Sequence, residues 1–272
     1  MLSDITLGQY FPAKSPLHRA DPRLKICLTI FSIVLIFCAG NFFSLGAAVA
    51  YIGLGMALSR IAVKLYLRSL KPILFLVVFT AVLNVFYGTG EPLWQWGVFK
   101  ITQNGLVNSL FVSIRIITLI LASSVLTFTT SPTQLTDAIE RLLRPLSRLR
   151  VPVHEFAMMM TIALRFVPLL LEETDKIMSA QKARGADMES GSVLQRIKAL
   201  VPILIPLFVS AFRRAYDLAI AMESRCYHGG GGRTKMKVLR FGRGDWLVLG
   251  SAVLALGAFI ALNIVFPPAV AR

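Results

Sequence analysis

The stretch "ICLTIFSIVLIFCAGNFFSLGAAVAYIGLGMAL", residues 26–58, decides the fold. It holds two apolar runs, Ile26–Ala39 (extendable to Gly40) and Phe42–Leu58. A helix that spans a bilayer needs about 20 mostly apolar residues. The join around Gly40 and Asn41 is so tight that the two runs must form a hairpin. Three more runs of this kind follow outward: Ile73–Tyr87, Leu106–Phe128 and Trp246–Phe266. The reading is an all-α integral membrane protein with about five transmembrane helices.

Composition agrees. Hydrophobic residues make up 56% of the 272, and the mean hydropathy is +0.68. That exceeds the usual apolar share of a soluble domain. Only 16% of residues are charged, yet the net charge is +15. In so apolar a chain, that excess points to basic loops at a membrane rather than to nucleic acid. Cys27, Cys38 and Cys226 are scattered, so neither a disulfide framework nor a metal site is expected. No signal peptide is expected either: the first apolar run follows Lys25 without a small-residue cleavage site.

The flanking charges orient the spans. Lys14, Arg19, Arg23 and Lys25 precede the first, and Arg60, Lys64, Arg68 and Lys71 separate the second from the third. The turn at Asn41 carries no charge, and residues 88–105 carry only Glu91 and Lys100. Arg233, Lys235, Lys237, Arg240 and Arg243 precede the last span. Positive loops stay inside, which predicts a cytoplasmic N-terminus and an external C-terminus in a cell membrane. Arg115 falls within the fourth span and is expected to face protein or the interface, because a lipid-facing charge is costly. Trp94, Trp96 and Trp246 suit interfacial or packed positions.

Residues 131–230 read differently. Ser131-Pro132-Thr133-Gln134 forms a capping-box pattern with proline at the first helical position. Leu135, Ile139, Leu142, Leu143, Leu146 and Leu149 then share one face. Pro145 predicts a kink or break. Two long helical patterns follow, Glu155–Arg184 and Ser192–Arg225. Each pairs an apolar part with a strongly polar one. Met158, Met159 and Met160 offer an adaptable apolar surface, for partners or for the core. Two placements stay open: a membrane hairpin, or long helices based in the interface and projecting into the cytoplasm. Arg165, the prolines and the polar halves favour the second. Three amphipathic coupling helices are therefore expected. The domain reading is 1–129 membrane, 130–232 coupling, and 233–272 basic linker with the last span.

The two long patterns end alike: Ala183-Arg184-Gly185, and Ser224-Arg225-Cys226 after Glu223. Each sets an arginine between small residues, 41 positions apart. Such an arginine can reach a partner's carboxylate or carbonyls with forked hydrogen bonds, or merely complement its own helix dipole. Gly185 and Gly229 suit helix termination. Gly229, Gly230, Gly231 and Gly232 follow a helix end and lead toward the last span. They read as a hinge, because a phosphate loop would follow a strand and open a helix.

These triplets, with Ala221-Met222-Glu223 before the second and Tyr227-His228-Gly229-Gly230 after it, resemble the transmembrane coupling subunit, the T component, of energy-coupling factor transporters. So do Ser15-Pro16-Leu17-His18-Arg19-Ala20-Asp21-Pro22-Arg23 and Thr130-Ser131-Pro132. The resemblance covers nearly the whole chain. It departs at Ser224 and Cys226, where the family's usual triplet is Ala-Arg-Gly. It implies a non-catalytic subunit of a vitamin or transition-metal importer. Two cytoplasmic ABC ATPases, carrying the ATP and Mg, would dock on Arg184 and Arg225. A membrane substrate-binding subunit would contact the apolar helices, with Ile139, Leu142, Leu143, Leu146 and Met158–Met160 as candidates. This chain is expected to bind no cofactor and no metal.

The residues fit that division. No G-x-x-x-x-G-K-[ST] motif is present. His18, His154 and His228 are far apart and read as solvated or interfacial. A self-contained secondary transporter would need midplane charges and repeated spans; only Arg115 and Arg165 are candidates. An intramembrane enzyme would need a histidine near Ser109, Ser113, Ser123 or Ser124, and none is evident.

Overall fold

The computed structural model describes residues 10–86, 92–96, 99–186, 192–229 and 241–266. Its elements are α1 (Pro16–Arg19), α2 (Pro22–Cys38), α3 (Phe42–Ser59), α4 (Val63–Leu70), α5 (Leu74–Phe86), β1 (Pro92–Trp96), β2 (Phe99–Thr102), α6 (Gln103–Thr129), α7 (Pro132–Leu143), α8 (Val153–Ala183), α9 (Val193–Glu223) and α10 (Arg243–Val265). The chain divides into two compact units: 8–138 with 238–272, and 139–237 with 1–7.

Among the described residues, five helical stretches are long and apolar enough to cross a membrane: Phe42–Ser59, Val63–Phe86, Gln103–Thr129, Val153–Ala183 and Gly244–Val265. Three coincide closely with the expected spans. The third expected span is longer, because α4 runs through a 3₁₀ turn, Lys71–Ile73, into α5. Pro72 opens that turn without breaking the path. The first expected span, α2, is a 17-residue helix that stops just ahead of the Asn41 cap. The long helix α8 meets the criterion in its place. Within the stretch expected as plain loop, β1 and β2 pair antiparallel, with Trp94 opposite Ile101 and Trp96 opposite Phe99.

In the first unit, α2, α3, α6 and α10 enclose a core of Leu35, Ile36, Leu45, Ile52, Phe111 and Phe259. The α2–α3 hairpin has a defined cause. Asn41 accepts a hydrogen bond from the Ser44 amide at 2.6 Å, and the Asn41 amide donates to Ser44 Oγ at 3.3 Å. The same Asn41 Nδ2 donates to the carbonyls of Leu262 and Phe266 at 3.2 and 3.1 Å, which lie at the end of α10. Asn263 answers by donating to the Cys38 carbonyl at 3.3 Å. Two short amides thus satisfy three helix ends where water cannot be relied on.

Arg115 faces protein, as expected for a charge inside a span. Its Nη2 donates to the Ala39 carbonyl at 2.7 Å, just past α2, and its guanidinium lies 4.7 Å from the centroid of the Phe111 ring. A cation at a helix C-terminus meets the negative end of the dipole. At the opposite end of α2, buried Lys25 donates to the Thr129 carbonyl at 2.9 Å. Asp245 accepts from the Asp21 amide at 2.8 Å and the Gly242 amide at 2.7 Å, so one carboxylate joins the starts of α2 and α10. Packing of α5 on α6 depends on Gly105: a Cβ there would lie 2.8 Å from the Val85 carbonyl.

His18 is half-buried, and both ring nitrogens bond to protein. Its Nε2 donates to the Phe11 carbonyl at 2.9 Å, which leaves Nδ1 to accept from Ser15 Oγ at 2.7 Å. It ties the segment before α1 in place.

Candidate functional site

The capping box ahead of α7 forms as read. The Gln134 amide donates to Ser131 Oγ, the Ser131 amide donates to Gln134 Oε1, both at 3.3 Å, and Pro132 takes the first helical position. Pro145 does break the helix. α7 stops at Leu143, and Arg144–Leu149 continues as a 3₁₀ segment closed by Arg150 at φ 62°. Leu146 and Leu149 therefore leave the α-helical face that holds Ile139, Leu142 and Leu143. His154 at the start of α8 reaches back to Glu140 at 3.1 Å and bridges the break.

α8 and α9 are both 31 residues long. Two contacts fix how they meet. Arg214 donates to Glu173 at 2.8 Å, and Gln181 Nε2 donates to the Pro202 carbonyl at 3.4 Å. A lower number on one helix pairs with a higher number on the other, so the pair runs antiparallel. The second contact has a backbone origin. Pro206 has no N–H, so the carbonyl four residues earlier, that of Pro202, lacks its helical donor. Gln181 supplies a donor from the neighbouring helix.

Both helices end in the same hydrogen-bonded turn. At the end of α8, the Gly185 amide donates to the Lys182 carbonyl at 3.0 Å and the Ala186 amide to the Gln181 carbonyl at 3.0 Å. At the end of α9, the Cys226 amide donates to Glu223 at 2.8 Å and the Tyr227 amide to Met222 at 3.1 Å. This is the Schellman motif twice. Arg184 is the C-cap of α8, and Arg225 follows Ser224, the C-cap of α9; each arginine directly precedes the left-handed residue of its turn. Gly185 and Cys226 both take the left-handed residue that follows, at φ 84° and 54°. Gly229, expected as a terminator of α9, lies beyond the turn at φ 90°. Gly230, Gly231 and Gly232 lie outside the described residues.

The arginines lie at opposite ends of the pair. Gly229, four residues past Arg225, lies against Glu155 near the start of α8, while Arg184 ends that helix. The 29 residues from Glu155 to Arg184 correspond to about 44 Å of helix. Both side chains are exposed, flanked by exposed Ala183, Gly185, Ser224 and Cys226, and neither pairs with an acid among the described residues. His228 is exposed and donates from Nδ1 to the Cys226 carbonyl at 2.9 Å, which further closes the second turn.

The apolar contact candidates are largely uncovered. Ile139, Leu142, Leu143, Leu146, Met159 and Met160 are exposed, and Met158 is half-buried. The sequence reading missed a longer surface on α9. Leu194, Ile197, Val201, Phe208, Phe212, Tyr216 and Ile220 are all exposed and recur at intervals of three, four or seven residues. The period is present in the sequence, but Pro202 and Pro206 fall within it and read as helix breakers.

Together these features define a multi-pass α-helical membrane protein whose polar apparatus is a pair of exposed, matched helix ends. Residues 13–237 match the model of the cobalt transport protein family, CbiQ. The chain is 51% identical over 266 residues to the energy-coupling factor transporter transmembrane protein of Ruminiclostridium cellulolyticum, covering 98% of this chain and all of that one. It is 51% identical over 261 residues to the same-named protein of Acidaminococcus fermentans, covering 96% and 97%. For that of Bacillus subtilis the figures are 46% over 256 residues, 93% and 96%. The chain belongs to this family of energy-coupling factor transporter transmembrane proteins.

Proposed function

We propose that this chain is the coupling subunit of an energy-coupling factor importer, linking two cytoplasmic ATPases to a membrane subunit that binds the substrate. The observation that carries the reading is the repeated helix end. Arg184 and Arg225 are offered by the same backbone turn at opposite ends of one antiparallel pair, which suits two copies of a similar partner. Each guanidinium can form forked hydrogen bonds in a partner's groove. ATP and Mg belong to those partners in this reading. The exposed faces of α7, α8 and α9 take the substrate-binding subunit, and Gly229–Gly232 serve as the hinge toward α10.

Coupling requires that the partners bind two arrangements of α8 and α9 with different affinity. α2, α3, the α4–α5 stretch, α6 and α10 cross the membrane in this reading, with the N-terminus inside. α8 and α9 lie at the cytoplasmic interface, since the second half of α8 carries Glu172, Glu173, Asp175, Lys176 and Lys182. Co-purification tests the assignment. Arg184→Glu with Arg225→Glu is expected to abolish recovery of the ATPase chains while the mutant still inserts. Full ATPase recovery would overturn it. Proteolysis of sealed inverted vesicles tests the placement, with cleavage expected within 172–198.

A further inference from the structure

Lysines and arginines gather at one end of the α2, α3, α6 and α10 bundle, around a cavity of about 780 Å³. Among the described residues, four cations line it, Lys14, Arg19, Lys25 and Arg60, against one carboxylate, Asp245. Lys25 is committed to backbone carbonyls beside Asp245. Lys14, Arg19 and Arg60 are exposed and have no acidic partner among the described residues. Arg60 also holds a left-handed backbone at φ 55° as the cap of α3, a conformation that costs a non-glycine residue energy.

The lining is otherwise largely apolar and includes Leu28, Ile52 and Val125. On one side the lining residues Leu54, Leu58 and Leu247 are 48%, 40% and 78% exposed. In a chain that crosses a bilayer, exposed leucines on the flank of a groove open it sideways to lipid. The site therefore combines a cluster of uncompensated cations at the membrane boundary with an apolar slot reached from the hydrocarbon.

We propose that this cavity binds one anionic phospholipid, its phosphate held by Lys14, Arg19 and Arg60 and one acyl chain lying along Ile52, Leu58 and Leu247. The apolar slot distinguishes a lipid from free phosphate, and the excess of positive charge distinguishes an anionic lipid from a zwitterionic one. The assignment needs only that the helices cross a bilayer, not the coupling role.

Native mass spectrometry of the purified full-length chain, titrated with phosphatidylglycerol or with phosphatidylcholine of matched chains, tests it. One saturable phosphatidylglycerol adduct is expected, preferred at least about tenfold over phosphatidylcholine. Lys14→Gln with Arg19→Gln and Arg60→Gln should erase the preference, whereas Arg19→Lys with Arg60→Lys should keep most of it. Gly55→Phe fills the slot and should remove the adduct with all cations in place. An adduct that survives the triple glutamine variant, one with no headgroup preference, or one displaced by equimolar inorganic phosphate would overturn the proposal.

Discussion

Gly185 and Cys226 occupy the same position at the ends of two different helices, 41 residues apart, and each closes its turn with a left-handed backbone. Glycine does this at little cost, whereas a residue with a Cβ pays about 1–2 kcal/mol. The departure from Ala-Arg-Gly therefore changes the stability of the turn and keeps its shape. Cys226→Gly is expected to stabilise the end of α9 by up to about 1 kcal/mol, read as slower amide exchange at Cys226 and Tyr227. Unchanged or faster exchange would contradict it.

Gly185→Ala probes the same position from the other side. Nothing lies within 4 Å of a Cβ built there, so only the backbone conformation resists. A loss of about 1–2 kcal/mol of local stability is expected, with Gly185→Asn intermediate. Hydrogen exchange at residues 183–186 distinguishes the three.

Single charge reversals should act separately because the arginines lie at opposite ends of the pair. Arg184→Glu alone is expected to leave one ATPase bound, and Arg225→Glu alone to leave the other. Complex mass after mild solubilisation reads this directly. Loss of both chains from either single variant would mean that the two ends are not independent docking points.

Asn41 holds the start of α3 and the end of α10. Asn41→Ala removes the cap, leaves the Phe266 carbonyl without its Asn41 donor, and leaves the Leu262 carbonyl with the Phe266 amide alone. Loss of the cap alone costs about 0.5–2 kcal/mol, and hydrogen bonds between membrane helices add about 0.6 each. A lower thermal midpoint in detergent is expected, with Asn41→Asp intermediate because it keeps the cap but not the donors.

The ion pair between Glu173 and Arg214 is partly exposed, and its worth is at most about 1 kcal/mol. Glu173→Arg or Arg214→Glu alone sets like charges against each other at the crossing of α8 and α9. Combining them should restore wild-type stability in a thermal scan. Failure of the double variant to recover would show that the crossing does not depend on this contact.

Much of the framework was legible because apolar run length, proline and basic flanks act locally. The cap at Ser131, the break at Pro145 and the inward turn of Arg115 followed from single residues. What escaped the sequence depends on long-range partners. α4 read only as the charged link between two spans because nothing local shows that Tyr66 packs against Phe128. Gly229 looked like a helix terminator because Cys226 does not advertise a left-handed backbone. Gln181 had no visible role until α9 brought Pro202 beside it.

The crossing marked by that contact and by the Glu173–Arg214 pair sits off centre. The midpoint between Glu173 and Gln181 lies about 7 residues from Arg184, whereas the midpoint between Pro202 and Arg214 lies about 17 residues from Arg225. A swing about the crossing therefore moves the Arg225 tip more than twice as far as the Arg184 tip. The pair is a lever with unequal arms, so two similar partners at its tips would feel strokes of different length.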